Sequence, residues 1–117
     1  MPLIQVKSST SQPQADTVKS LLSKLSESLA QHLGKPEAYI MTAFEADVMM
    51  SFAGTFDPVC YLEIKSVGNM SSEQTKKMSH DFCTIISERL DVPAKRIYIE
   101  FADAQGYMWG WNEATFG

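Results

Sequence analysis

IQVKS at residues 4–8 returns as LEIKS at residues 62–66, fifty-eight positions later in the chain. A second pair has nearly the same separation, because LGKP at residues 33–36 resembles LDVP at residues 90–93. An extended segment follows each of these, YIMTAF at residues 39–44 and RIYIEF at residues 96–101. A period this long that occurs only twice indicates a duplicated supersecondary unit rather than a solenoid, which needs more copies.

The segment between the two strands of each unit has helical periodicity. We predict a first helix from Ala15 to His32, ended by Gly34 and Pro36. SSEQ at residues 71–74 fits a capping box, so we predict that the second helix begins at Ser71. The apolar stripes of the two helices are assigned to the core: Val18, Leu21, Leu22, Leu25, Leu29 and Leu33 in the first, and Met78, Phe82, Ile85, Ile86 and Leu90 in the second.

Two strand–helix–strand units predict an α+β (α/β) fold. A helix of this length between two strands favours a right-handed parallel crossover, so each unit is a βαβ unit. We expect the two units to be related by a pseudo-twofold axis and to form a four-stranded mixed sheet with both helices on one face. The 117 residues are then one domain, 1–117, with an internal repeat of approximately 2–57 and 58–117.

The sheet face opposite the helices would be uncovered. By strand alternation, Ile97 and Ile99 are expected to oppose Tyr98 and, more loosely, Phe101. We therefore expect apolar side chains on the open face, and a domain this small should not expose a large apolar face. Association of several copies would cover it, so the sequence predicts an obligate homo-oligomer with sites between subunits.

Composition and charge exclude several classes of protein. The formal net charge is -4 and there is no basic stripe, so we expect no nucleic-acid partner. No apolar run approaches the roughly 20 residues that cross a membrane, so we expect no membrane partner. Cys60 and Cys83 are too few and too far apart for a disulfide framework. His32 and His80 lie on the predicted helices and no cluster of acid or thiol ligands is recognised around them, so we expect neither a metal nor another cofactor.

Pro2 directly follows the initiator Met1, which aminopeptidases remove readily when the next side chain is small. The α-amine freed in this way has an ordinary pKa of about 7.7–8.0. An apolar pocket and a neighbouring cation would lower that pKa, and a base works best when its pKa lies near the operating pH. Proline is about 5% of residues in ordinary proteins, so Pro2 taken alone is either a catalytic base or a chance occurrence.

Five motifs occur in order along the chain: Pro2 at the start, GKP at residues 34–36, SVG at residues 66–68, RIYI at residues 96–99 and GWNEATF at residues 110–116. Together they resemble the macrophage migration inhibitory factor (MIF) family of the tautomerase superfamily, over essentially the whole chain. The resemblance implies a homotrimer with three sites at subunit interfaces. It also implies keto–enol tautomerisation of phenylpyruvate-type aromatic α-keto acids and, in some members, of a dopachrome ester.

The resemblance assigns a role to each site residue. Pro2 would be the base and acid, and Lys35 would bind the substrate carboxylate or carbonyl oxygen and lower the pKa of Pro2. The backbone amide of Val67 would contact the carboxylate, and Tyr98 would come from the neighbouring subunit. Without the resemblance Lys35 is an ordinary solvated charge after a helix. The remaining residues would form the aromatic wall and its rim: Trp109, Trp111 and Phe116, with Met108 and Tyr39 at the rim.

Three features depart from the vertebrate pattern of that family. VCYL at residues 59–62 lacks both cysteines of the family's CxxC segment, so no thiol-oxidoreductase activity is expected. Glu100 stands where vertebrate members have an asparagine, and alternation places it on the face of Tyr98. There it could accept a hydrogen bond from a substrate phenol and would repel a second negative charge. Trp109 replaces a smaller aliphatic residue and should narrow the pocket, so we expect dopachrome-type substrates to be handled poorly.

Two classes of function stay open from the sequence. One is a tautomerase that uses Pro2, and the other is a cytokine-like protein that binds a receptor or other partner through a fold with a vestigial pocket. Dehalogenase or decarboxylase chemistry of the wider superfamily relies on arginines beside the proline, and this chain has only Arg89 and Arg96. The N-terminal segment does not resemble a secretory signal. We therefore expect a cytoplasmic location by default, although family members without such a signal can be exported.

Overall fold

Each repeat folds as a strand, a helix and a second strand. The computed structural model describes residues 1–117. The first repeat supplies β1 (Pro2–Ser8), α1 (Ala15–Leu33) and β2 (Met41–Glu45), and the second supplies β3 (Cys60–Val67), α2 (Ser72–Leu90) and β4 (Ile97–Ala104). A short C-terminal hairpin follows, made of β5 (Gly110–Trp111) and β6 (Ala114–Thr115). No helix has the length and apolar content needed to cross a membrane.

The four long strands form one mixed sheet in the order β2-β1-β3-β4. Within each repeat the two strands are parallel, as the helical connection between them requires, and β1 runs antiparallel to β3. The repeated motif pairs with itself across this central junction, because Ile4 lies opposite Ile64 and Val6 lies opposite Leu62. This register is symmetric about the pair Gln5–Glu63. The predicted fold, two βαβ units in a four-stranded mixed sheet, is confirmed.

The helix ends follow the signals in the sequence. Gly34 ends α1 in the left-handed conformation, with φ of 63°, and Asp91 does the same for α2, with φ of 57°. Ser71 caps the start of α2: its side chain accepts a hydrogen bond from the Gln74 backbone, and the Gln74 side chain accepts one from the Ser71 backbone. The first helical residue of α2 is therefore Ser72, one position after the predicted start.

The core lies between the sheet and the two helices. In β1 and β3 every second residue is buried, which is the alternation expected of a sheet covered on one face. Phe101 packs against this core beside Ile97 and Ile99, so the expectation that it shares the open face with Tyr98 is wrong. Positions 97, 99 and 101 have the same parity, and a regular strand directs them to one side.

The open face of the sheet carries both polar and apolar side chains. The half-buried positions of the central strands alternate with the core residues and include Gln5, Lys7, Glu63 and Lys65. The repeated motif places polar residues at the centre of this face, and the exposed apolar side chains expected there lie toward its edges, at Tyr98 and Met41. The large apolar side chains that are exposed lie in and around β2, in the loop before β3, on β4 and in the C-terminal segment: Tyr39, Met41, Met49, Phe56, Tyr98, Tyr107, Met108 and Trp111.

Candidate functional site

The start of β1, the end of α1 and the end of β3 enclose a cleft of about 240 Å³. Pro2 lies opposite Ser66 in the antiparallel register, so the beginning of the chain is placed beside the last residues of β3. The left-handed turn at Gly34 ends α1 and brings Lys35 to the same point. The cleft combines one cationic side chain with mainly apolar walls, and its lining residues are Met1, Lys35, Pro36, Tyr39, Val67 and Phe116.

Lys35 is held in this cleft by hydrogen bonds to the end of β3. Its Nζ donates to the Ser66 hydroxyl at 2.6 Å and to the Val67 carbonyl oxygen. Burial lowers the pKa of Lys35, and its contact with the terminal amine of the chain acts in the opposite direction. A lysine ammonium has three donor hydrogens, and these two bonds together with the contact to the terminal amine engage all three.

The terminal amine of the chain lies next to Lys35. Burial lowers the pKa of this amine, and the positive charge of Lys35 and a hydrogen bond with it lower the pKa further. In this structure the amine belongs to Met1, and Pro2, the next residue, is fully buried. Burial and a neighbouring positive charge both disfavour the protonated form, and both are ways in which proteins make an amine a base at neutral pH.

An aromatic wall borders the same end of the sheet. The Trp111 and Phe116 rings are stacked, with centroids 5.7 Å apart, and Tyr39 meets Trp111 edge-on at 5.6 Å. Together with Pro2 and Trp109 they border a second, wider cleft of about 410 Å³ next to the first. A flat aromatic ring would find stacking and edge-to-face partners here.

The C-terminal hairpin fixes this wall through backbone contacts. Gly110 pairs with Thr115 across the hairpin. The Phe116 N–H lies 3.1 Å from the Gly106 carbonyl oxygen and 3.2 Å from the Trp109 carbonyl oxygen, and so donates to both. A Cβ at Gly106 would lie 2.5 Å from the Phe116 carbonyl oxygen, so only glycine fits there.

The structure brings together most of the residues that the sequence assigned to a site. Met108 is the exception among the aromatic and rim positions, because it is 69% exposed and lines neither cleft. The role of the Val67 amide in binding the substrate carboxylate stays a prediction. The residues that lie at the two adjoining clefts are Pro2, Lys35, Tyr39, Val67, Trp109, Trp111 and Phe116.

Tyr98 and Glu100 line neither cleft of their own chain. Pro2 is opposite Ser66, which is opposite Asp103, and Tyr98 precedes Asp103 by five positions on the same strand. At about 3.3 Å per residue this places Tyr98 roughly 16 Å further along the sheet. It is 65% exposed and does not reach the cleft of its own chain.

An arginine that the sequence interpretation did not use supports Tyr98. The Phe52 ring meets the Tyr98 ring edge-on, with centroids 5.0 Å apart, and the Arg96 guanidinium lies over the Phe52 ring, 5.3 Å from its centroid. Arg96 also donates hydrogen bonds to the carbonyl oxygens of Phe52, Asp57 and Pro58. These contacts join Arg96, just before β4, and Tyr98, within β4, to the distant loop between β2 and β3, and no local sequence signal predicts them.

Tyr61 was also missed, and it contacts Glu100. Its hydroxyl is 3.0 Å from Glu63 Oε1 and 3.1 Å from Glu100 Oε1. Burial and the two neighbouring carboxylates raise the pKa of Tyr61, so its phenol remains a hydrogen-bond donor at neutral pH. Strand alternation could have placed Tyr61, Glu63 and Glu100 on one face, but only once the pairing of β3 with β4 was known.

Fold and cleft together define a small α+β protein whose terminal amine faces a lysine and an aromatic wall. A sequence model of the macrophage migration inhibitory factor (MIF) family matches residues 1–117. The chain is 35% identical over 116 residues to the macrophage migration inhibitory factor of Rattus norvegicus, with 99% of each chain covered. It is 31% identical over 108 residues to the homolog from Brugia malayi, which covers 92% of this chain and 94% of that protein.

A solved structure agrees with these sequence relationships. The crystal structure of a macrophage migration inhibitory factor homologue from Prochlorococcus marinus superposes with a TM-score of 0.93 at 44% sequence identity, covering 98% of this chain and 99% of that chain. The chain therefore belongs to the MIF family of the tautomerase superfamily. Isomerase activity is the general chemistry that this membership supports.

Proposed function

We propose that the chain, once Met1 is removed, is a keto–enol tautomerase of phenylpyruvate-type aromatic α-keto acids with the Pro2 amine as general base and acid. The single observation that supports this most strongly is the position of the terminal amine. It lies beside Lys35 in a mainly apolar cleft, where burial and the lysine charge lower its pKa. When Met1 is removed, the ring nitrogen of the buried Pro2 becomes the terminal amine.

The reaction needs a base, a stabilised oxygen and an anion site. The neutral Pro2 nitrogen would take a proton from the carbon next to the keto group, and the C–H electrons would form the C=C bond of the enolate. The keto oxygen would then receive the proton from the Pro2 ammonium, which restores the neutral amine. The reverse sequence ketonises the enol. Lys35 would stabilise the carboxylate or the developing oxyanion, and the Val67 amide would contact the carboxylate.

The aromatic wall suits the remaining part of the substrate. A phenyl ring fits against Trp111 and Phe116, whose stacked rings offer an apolar surface close to Pro2. Trp109 occupies the same wider cleft and limits its width. We propose that phenylpyruvate is turned over and that the bulkier dopachrome ester is turned over poorly. Comparable rates on the two substrates would contradict this substrate range.

We propose that the active assembly is a homotrimer with three interfacial sites. Tyr98 and Glu100 are exposed and too far from their own chain's cleft, so only a neighbouring subunit can supply them. Both edge strands of the sheet, β2 and β4, have one unpaired side that another copy could join. Glu100 would then accept a hydrogen bond from a phenol on the substrate ring.

A receptor- or partner-binding function is the second candidate. Met49 and Phe56 are 88% and 73% exposed, and they lie in the loop between β2 and β3, away from both clefts. Exposed apolar side chains of this kind favour contact with another protein surface. These residues would serve either the trimer or a separate partner.

Variants of Pro2 separate the two functions. Pro2→Gly and Pro2→Ala keep a terminal amine but replace the secondary amine of the ring, so we expect phenylpyruvate tautomerisation to fall by at least about a hundredfold. Sedimentation and circular dichroism of the same samples establish that assembly and fold are intact. Absence of activity in the unaltered protein, with Met1 removal confirmed by intact mass, would reject the enzyme and favour the binding function.

A further inference from the structure

Tyr61, Glu63 and Glu100 form a polar cluster on the open face of the sheet. Glu63 and Glu100 are direct neighbours in the parallel register of β3 and β4, and the Tyr61 hydroxyl lies within hydrogen-bond distance of both carboxylates. The tautomerase mechanism described above uses neither Tyr61 nor Glu63. Their contact with Glu100 therefore needs its own explanation.

The two carboxylates are held differently. Like charges directly across neighbouring strands repel each other, so Glu63 and Glu100 would separate if nothing held them. Lys65 Nζ lies 3.6 Å from Glu63 Oε2 and compensates that charge, whereas Glu100 makes no ion pair. The Tyr61 phenol is the one side chain that donates a hydrogen bond to Glu100. Its single hydrogen can go to only one carboxylate at a time.

We propose that Tyr61 is a positioning residue that fixes the Glu100 carboxylate, so that the second oxygen of Glu100 is free to accept a hydrogen bond from the phenol of a 4-hydroxyphenyl substrate. This inference rests on the proposed function, in which Glu100 borders the pocket of a neighbouring subunit. Tyr61 occupies the Oε1 atom and leaves Oε2 without a partner among the hydrogen bonds of the chain. The substrate class that benefits is the 4-hydroxyphenyl α-keto acids.

Steady-state kinetics with two substrates test the role of Tyr61. In Tyr61→Phe we expect the KM for 4-hydroxyphenylpyruvate to rise about fivefold, the worth of one hydrogen bond, with kcat and the KM for phenylpyruvate unchanged. Glu63→Gln is the matched variant, because it removes the repelling charge and keeps the phenol. It should retain the preference for the hydroxylated substrate. An equal KM change on both substrates, or a preference lost only in Glu63→Gln, would overturn the inference.

A binding measurement separates this inference from the proposed reaction. Calorimetric titration compares 4-hydroxycinnamate with cinnamate, which lack the α-keto group and are not turned over. The unaltered protein should bind the hydroxylated acid about fivefold more tightly, and Tyr61→Phe should bind both equally. This result supports the inference even if no tautomerisation is detected, in which case the proposed function fails alone. Equal affinity for the two acids in the unaltered protein, or no binding of either, overturns it.

Discussion

The Lys35 ammonium donates a hydrogen bond to the Ser66 hydroxyl at 2.6 Å and thereby joins the end of α1 to the end of β3. Ser66 is the residue directly opposite Pro2 in the sheet. The contact therefore unites the two repeats at the point where the chain begins. A lysine from the first repeat and a strand end from the second together surround the terminal amine, and neither repeat alone would build this cleft.

Replacing Lys35 should change the pH dependence of activity. In the proposed reaction the neutral Pro2 amine is the active form. Burial and Lys35 lower the pKa of the Met1 amine at this position, and we expect both causes to act on the Pro2 amine once Met1 is removed, so kcat/KM should rise with pH through a pKa below the ordinary value of about 8. In Lys35→Gln the charge is gone, so we expect the rising limb to move to higher pH. Because burial is the larger cause, the inflection should still lie below that ordinary value. Values of kcat/KM measured across about pH 5–9 give the shift of this limb.

The same variant should also lose catalytic power where the amine is neutral. Without a cation at the carboxylate or oxyanion, we expect the maximal kcat/KM to fall about a hundredfold. Lys35→Arg is the control, because it keeps the charge and should leave the inflection near that of the unaltered protein. An inflection that is identical in all three proteins would show that Lys35 does not act on the amine.

The fold was predictable because its signals are local. The repeated motif, the glycine turn at Gly34 and the capping box at Ser71 are each encoded within a few residues, and they suffice for two βαβ units. The character of the open face was less predictable. It depends on which residues of a strand share a side. The expectation failed for Phe101, which was placed on the face opposite Ile97 and Ile99 although all three lie at alternate positions and pack against the same core.

Gly106→Ala should disturb the aromatic wall and leave the sheet intact. The added Cβ would lie 2.5 Å from the Phe116 carbonyl oxygen, and backbone atoms cannot yield as a flexible side chain can. We expect the C-terminal segment to be displaced and kcat/KM for phenylpyruvate to fall at least about tenfold. Trp fluorescence and near-ultraviolet circular dichroism would report the displaced rings.

Gly110→Ala is the steric control for that variant. A Cβ at Gly110 would have the Ala114 carbonyl oxygen as its nearest contact beyond the adjacent residues. That distance is 3.6 Å, which is an ordinary van der Waals contact. Its free energy of unfolding should change by less than about 1 kcal/mol. If both alanine variants gave the same near-ultraviolet spectrum as the unaltered protein, close packing at Gly106 would not be what holds Phe116.

Arg96→Lys should loosen the loop that packs against Tyr98. Lysine keeps the charge but cannot donate in a fork to three carbonyl oxygens, so we expect a loss of about 2 kcal/mol in the free energy of unfolding. Urea denaturation at one fixed protein concentration measures this loss. Arg89→Lys is the matched control, because the Arg89 side chain makes no hydrogen bond or ion pair, and it should change stability by less than about 0.5 kcal/mol. Equal effects of the two substitutions would contradict the account.

Trp109→Leu should broaden the substrate range. A smaller side chain widens the cleft that Trp109 shares with Pro2 and Trp111. We expect kcat/KM for a dopachrome ester to rise about tenfold relative to that for phenylpyruvate. The ratio of the two values in one preparation is the measurement. A ratio that stays the same would mean that Trp109 does not set the width of the pocket.

The site was predictable only in part, for a physical reason. Pro2, Lys35 and Trp111 belong to short motifs that the sequence preserves in order, and the fold brings them to one end of the sheet. Arg96 and Tyr61 act through contacts between residues far apart in the chain, such as the 3.1 Å contact of Tyr61 with Glu100. Such contacts depend on strand register and loop path, which residue types alone do not determine.

The most direct test of the central role of Pro2 is the dependence of activity on Met1 removal. Preparations made with different levels of methionine aminopeptidase are examined by intact mass and assayed for phenylpyruvate tautomerisation. With Met1 retained, the Pro2 nitrogen is a tertiary amide without a basic lone pair, so activity should be proportional to the fraction that lacks Met1 and should vanish when that fraction is zero. Full activity in protein that retains Met1 would contradict the assignment of Pro2 as the base.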